Sequence, residues 1–410
     1  MSSGRLGTLV GAVSDATAVY RGRGRGTVLS LVALGWLLVL GTRLVVPAIL
    51  PQIRTEFGIT NATAGFAVTL IWLTYAIMQF PAGVLTDRVG ERRLLLASLF
   101  VGSVSVLAFS VAPLFALFLG ACVLFGAGTG LYGPPRVTIL SRTYPDNDGG
   151  AIGLTFAAGN VGSAVLPLVV GWVSVAYGWR TGLRVLFPLF VLVFVGMWFY
   201  LRAAQTEPLG RPDDSFWRAL RRVAASINDS SVLVLGSATT VTLFVFQGFT
   251  AFFPTYLVAV KELPQATAAT LFGAFFVTGI VVQPLSGGAA DRFGYRRLLL
   301  GLTSFTVLML AVLPFVQGFW PLAALSVLLG VRSGIDPINN AFLVAMLPDD
   351  VQGSSFGLLR SLYLGFGAVG SYVVGLFADA DRFDEAFLFL AALTAVSFGL
   401  YLLLPRKAAE

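Results

Sequence analysis

Gly83-Val84-Leu85-Thr86-Asp87-Arg88-Val89-Gly90-Glu91-Arg92-Arg93 is answered, 204 residues later, by Gly287-Gly288-Ala289-Ala290-Asp291-Arg292-Phe293-Gly294-Tyr295-Arg296-Arg297. Each copy is a short charged stretch between two long apolar runs. The same offset, with no insertion or deletion, pairs Ala62-Thr63-Ala64 with Ala266-Thr267-Ala268, Gln79 with Gln283, Gly126 with Gly330, Asp146 with Asp350 and Gly171 with Gly375. The chain is therefore a tandem duplication. Two halves of equal hydropathy are the sequence signature of a transporter with its site between them.

Working outward from the motif, apolar runs cover residues 27–51, 64–85, 92–112, 114–140, 150–174 and 181–203, then 232–259, 267–290, 296–317, 319–346, 354–377 and 384–405. Each is close to the ~20 residues that a helix needs to cross the hydrocarbon core. Helices are required, because an open sheet edge in lipid leaves backbone groups unpaired. The expected fold is an all-α membrane protein of twelve transmembrane helices in two pseudo-symmetric six-helix bundles. Its parts are a tail over residues 1–26, a bundle over 27–203, a linker over 204–231, a bundle over 232–405 and a tail over 406–410. Within the linker, residues 216–227 have the pattern of an amphipathic helix lying on the membrane surface.

Composition agrees with a bilayer protein. Hydrophobic residues make up 57% of the chain and charged residues 11%, with mean hydropathy +0.85. There is no histidine and one cysteine, Cys122, so neither an internal disulfide nor a zinc or haem set is expected, and no cofactor is. The net charge of +7 reads as topology rather than nucleic-acid binding. Of 27 basic residues, 18 lie in segments on the N-terminal side of the membrane and five on the other. The positive-inside rule thus puts both termini in the cytoplasm, in a multi-pass protein of the cell membrane. The other four, Arg43, Arg136, Arg332 and Arg360, fall inside spans.

The repeated stretch resembles the signature loop of the major facilitator superfamily, G-x-L-[AT]-D-[RK]-x-G-x-[RK]-[RK]. The first copy matches every fixed position; the second keeps Gly287, Asp291, Arg292, Gly294, Arg296 and Arg297. The resemblance implies alternating access between two bundles, with spans 1, 4, 7 and 10 lining a central cavity. It also implies a gating role for Gly83, Asp87, Arg88, Gly90, Arg92, Arg93 and their second-copy counterparts, the aspartates latching the cytoplasmic side against helix-end amides and arginines. The sequence departs from the pattern at Cys122, where an arginine is frequent, at Leu166 and Val170, where antiporters carry glycines, and at Glu91 and Tyr295, where a basic residue is common.

The charges inside spans carry the functional reading. Asp336 is the only acidic residue deep in a span, one turn after Arg332 and directly before Pro337. The two are either a neutralised structural pair or a proton-coupling site. Arg43 has no acidic partner in its own span, and its repeat mate is Gln247; Tyr132 mates with Asp336, and Arg136 with Asn340. The expected substrate-binding set is Arg43, Tyr132, Gln247, Arg332, Asn339 and Asn340, with Asp336 carrying the proton. Four arginines against one aspartate favour a small organic anion as substrate. A hydrophobic-drug efflux antiporter and a non-transporting ligand sensor are the alternatives. No enzyme motif is present, and the expected partners are the substrate, the lipid bilayer and protons, acting on a functional monomer.

Overall fold

The computed structural model describes residues 25–145, 148–201, 230–347 and 352–405. The two tails, most of the linker with its expected amphipathic helix, Asp146 and Asp350 lie outside the described residues, as do the side chains of Asp87 and Asp291. Among the described residues, twelve helices are long and apolar enough to span a membrane: α1 Gly26–Phe57, α2 Asn61–Thr86, α3 Glu91–Val111, α4 Phe115–Thr143, α5 Gly149–Tyr177, α6 Trp179–Tyr200, α7 Ser230–Ala259, α8 Gln265–Ala290, α9 Tyr295–Phe315, α10 Phe319–Met346, α11 Phe356–Asp379 and α12 Phe383–Leu402. Within each half, most of these helices are joined by turns of a few residues, so those neighbours run antiparallel.

The turns follow from local chemistry. Gly90 and Gly294 each adopt φ +88° between the second and third helix of their half. That conformation suits glycine, which explains its place in both copies of the motif. Two helices are broken at matching points. In α4 the regular helix stops at Gly130 and restarts at Gly133 with Pro134 and Pro135 in its first turn. In α10 a 3-10 segment Gly330–Gly334 precedes the helix Ile335–Met346, whose first turn holds Asp336 and Pro337. Proline is tolerated there because first-turn amides have no intrahelical partner.

The halves meet through small residues at the face opposite the first and last described residues. Gly171 of α5 backs onto Ala269 of α8, and Gly375 of α11 backs onto Ala62 of α2. A side chain at either position would collide with its neighbour. Thr69 Oγ1 donates to the Ala368 carbonyl at 2.9 Å, and Gln265 Nε2 donates to the Ala48 carbonyl at 2.8 Å. Most tellingly, the Asp379 carboxylate at the end of α11 accepts from the backbone amides of Asn61, at 2.6 Å, and Ala62, at 2.9 Å. An acid of one half therefore caps the helix N-terminus of the other. Among the described residues, these cross-half bonds and close approaches seal the end away from where the described chain begins and finishes.

Candidate functional site

Between the halves lies a cavity of about 500 Å³. Trp36, Arg43, Trp72, Tyr75, Phe156 and Asn160 line it from the first half, and Phe246, Phe276, Gln283, Asp336, Asn340 and Arg360 from the second. Asn160 Nδ2 donates to Gln283 Oε1 at 2.7 Å, bridging the halves in the cavity wall.

Arg43 is held by rings rather than by acids. Its guanidinium carbon stands 3.5 Å from the centre of the Tyr75 ring and 5.2 Å from that of Trp72. This is cation–π seating in a region where a carboxylate would neutralise the charge. The residue is 1% exposed, yet its Nε and Nη2 have no hydrogen-bond partner. Tyr75 interacts electrostatically with Arg43, Arg360 and Arg136, and the Nε of Arg360 is also unpartnered. Arg136 lies behind the lining, its guanidinium over Trp36 and Phe156 and bonded to Thr155. Buried cationic donors without acceptors are costly unless a partner meets them.

On the other wall, Asp336 faces the cavity with 30% of its side chain exposed, 3.7 Å from Arg332 Nη2. Arg332 itself is packed behind the wall, donating to the Thr242 carbonyl at 2.9 Å and lying over Phe246. Asn340 accepts from the Tyr363 hydroxyl at 2.8 Å.

Of the residues expected from sequence, the structure brings Arg43, Asp336 and Asn340 to the cavity and places the others off it. The Tyr132 hydroxyl donates to the Val32 carbonyl at 2.9 Å, fixing α4 to α1. Asn339 accepts from the Tyr401 hydroxyl at 2.9 Å, tying α10 to α12. Gln247 is 1% exposed, with neither side-chain amide atom bonded. In α10 the 3-10 turn at Gly330–Gly334 changes the rotation of the residues around it, which bears on Arg332 and Asn339; for Tyr132 and Gln247, depth along a helix leaves the rotation around it open. Tyr75, Trp72, Trp36, Phe156 and Asn160 were missed. The repeat relates four of them to cavity residues of the other half at the 204 offset: Trp72 with Phe276, Tyr75 with Gly279, Phe156 with Arg360 and Asn160 with Leu364.

The motif arginines act within their own halves. Arg92 Nη2 donates to the Trp198 carbonyl at 3.1 Å, and its repeat mate Arg296 donates to the carbonyls of Tyr401, at 3.1 Å, and Leu402, at 2.7 Å. Each therefore caps the C-terminus of the last helix of its bundle. Arg88, Arg93, Arg292 and Arg297 are exposed. Glu91 is buried and pairs with Arg142 at 2.8 Å; in the second copy Tyr295 stacks on Phe342 instead.

The family profile described as Major Facilitator Superfamily matches residues 31–270 and 261–410. The chain belongs to the major facilitator superfamily. Within it, the chain is 25% identical over 368 residues to the "Multidrug resistance protein MdtG" of Yersinia enterocolitica, covering 86% of each chain. It is 27% identical over 388 residues to the "Probable nitrate/nitrite antiporter NarK1" of Thermus thermophilus, covering 84% of each. A bacterial homologue of the human lysosomal transporter Spinster, solved inward-facing and unoccupied, shares the fold with TM-score 0.78 at 15% identity, covering 93% of this chain and 96% of that one. With its twelve candidate membrane spans, the chain is a multi-pass membrane protein of the major facilitator transporter family.

Proposed function

We propose that this transporter moves a small organic anion by alternating access, coupled to protons through Asp336. The observation that carries the reading is Arg43: a guanidinium buried in the cavity wall between rings, with two nitrogens unpaired and Arg360 close by on the opposing half. An anion drawn between them satisfies the orphan donors and screens two like charges, so bound substrate favours approach of the halves. Asp336 is the acidic side chain in the cavity, and Arg332 behind it sets the balance between its charged and neutral forms. Under the positive-inside reading, the sealed end faces out of the cell. A drug-efflux reading is supported by the aromatic lining and by the printed name of one relative.

The test is uptake by the purified protein in proteoliposomes with a panel of carboxylates, run with and without an imposed pH gradient. Arg43→Gln should weaken the apparent affinity for the best carboxylate by about tenfold or more, the scale of a lost charge-assisted hydrogen bond, with folded protein recovered at unchanged yield. Unchanged transport in that variant removes the basis for the anion assignment.

A further inference from the structure

Resting on the anion reading above, we infer that the substrate is an amphiphilic organic anion: a single carboxylate on a bulky aromatic or branched apolar body, not a small inorganic ion. Three features of the cavity lead there. First, its volume of about 500 Å³ falls in the range of sites that enclose drug-sized ligands, ~300–1,000 Å³. A small hydrated ion would leave most of it as water. Second, the two arginines of the lining, Arg43 and Arg360, both carry unpartnered nitrogens and both interact with Tyr75. One anionic group satisfies that pair. Third, the rest of the lining is largely apolar: Leu40, Leu44, Leu243, Phe246, Phe276 and Ile280 flank the polar spot across both halves. Apolar surface facing a cavity is stabilised by an apolar occupant, and rings give it defined stacking geometry.

The arrangement is therefore two-part, and each part makes its own demand. The arginine pair selects charge and rejects neutral analogues, because a neutral group would keep the orphan guanidinium nitrogens desolvated without compensation. The apolar walls select bulk. They also give substrate binding a route to closure, since a rigid body spanning from Leu40 on α1 to Phe276 on α8 touches both halves at once. Specificity by this scheme accepts a range of bodies and insists on the charge.

The experiment is isothermal titration of the purified full-length protein with 2-naphthoate, its neutral isostere 2-naphthamide, acetate and nitrate at equal ionic strength. The expected result is naphthoate binding about tenfold or more tightly than each of the other three. Phe246→Ala should weaken naphthoate several-fold and leave acetate unchanged, while Arg43→Gln should level naphthoate with naphthamide. Acetate or nitrate binding as tightly as naphthoate overturns the inference and leaves the anion reading standing. Naphthamide binding as tightly as naphthoate overturns the anion reading itself, and absence of naphthoate binding overturns the inference.

Discussion

Replacing Asp379 with asparagine tests whether the sealed end is held by charge across the halves. The carboxylate accepts two backbone hydrogen bonds at the N-terminus of α2, at 2.6 and 2.9 Å. Hydrogen bonds to a charged group contribute ~1.5–3 kcal/mol each, neutral ones nearer ~1, and an anion at a helix N-terminus adds ~0.3–1. Asparagine keeps one acceptor and loses the second bond, the charge and the dipole term. Asp379 is exposed, so solvent screening discounts the sum to ~1–2 kcal/mol, or a factor of ~5–30 in the balance between sealed and open forms. When the ends part, water takes up the amides in both variants, so the loss falls on the sealed form alone. The assay uses the single native cysteine to advantage: Cys122→Ala gives a cysteine-free background, and Ala48→Cys places a reporter at a position 1% exposed beside the seal. Its rate of modification by a membrane-impermeant maleimide from the sealed side should rise by the same ~5–30-fold in Asp379→Asn, while Asp379→Glu should stay close to the parent. A change below about twofold, with Asp379→Asn equally folded, refutes the latch.

Other expectations follow from the same coordinates. Asp336→Asn should abolish pH-driven accumulation of substrate while leaving substrate exchange measurable in proteoliposomes; accumulation retained under a pH gradient makes Asp336 a structural partner of Arg332. Gly375→Val places a side chain against the Ala62 backbone, where even a Cβ would lie 2.7 Å from the Ala62 Cα, so it should spring the seal and raise Ala48→Cys labelling even with Asp379 intact. Arg92→Gln removes the cap on the Trp198 carbonyl and should cost ~1 kcal/mol, read as a lowered unfolding temperature with substrate affinity unchanged; the matching Arg296→Gln, which loses two carbonyl contacts, should cost more.

The two-bundle fold was legible in the residues because it depends on local quantities. Apolar run length decides what can span lipid, and a duplication without gaps carries its own proof in the repeated Gly90 and Gly294 turns, both at φ +88°. Membership of the major facilitator superfamily followed from the same motif. The functional site was legible only in part. Arg43, Asp336 and Asn340 stood out as polar residues at membrane depth, and they do reach the cavity. Arg332, Asn339 and Tyr132 stood out for the same reason but turn into helix interfaces, and Gln247 is buried off the cavity, since depth along a helix says nothing about rotation around it.

The amino-acid sequence by itself determined that this chain is a duplicated twelve-helix membrane protein with excess positive charge among its spans. Hydropathy and repeat spacing are summed along the chain and need no partner to be read. Only the tertiary structure decided which charges share a space. The 3-10 turn at Gly330–Gly334 precedes the helix that carries Asp336 into the cavity, the aromatic seat formed by Tyr75 and Trp72 holds Arg43 with its Nε and Nη2 unpartnered, and the bonds from the start of α2 to Asp379 close one end. Each of these joins residues distant in sequence across helix surfaces, and their meeting depends on how the helices turn and pack against one another.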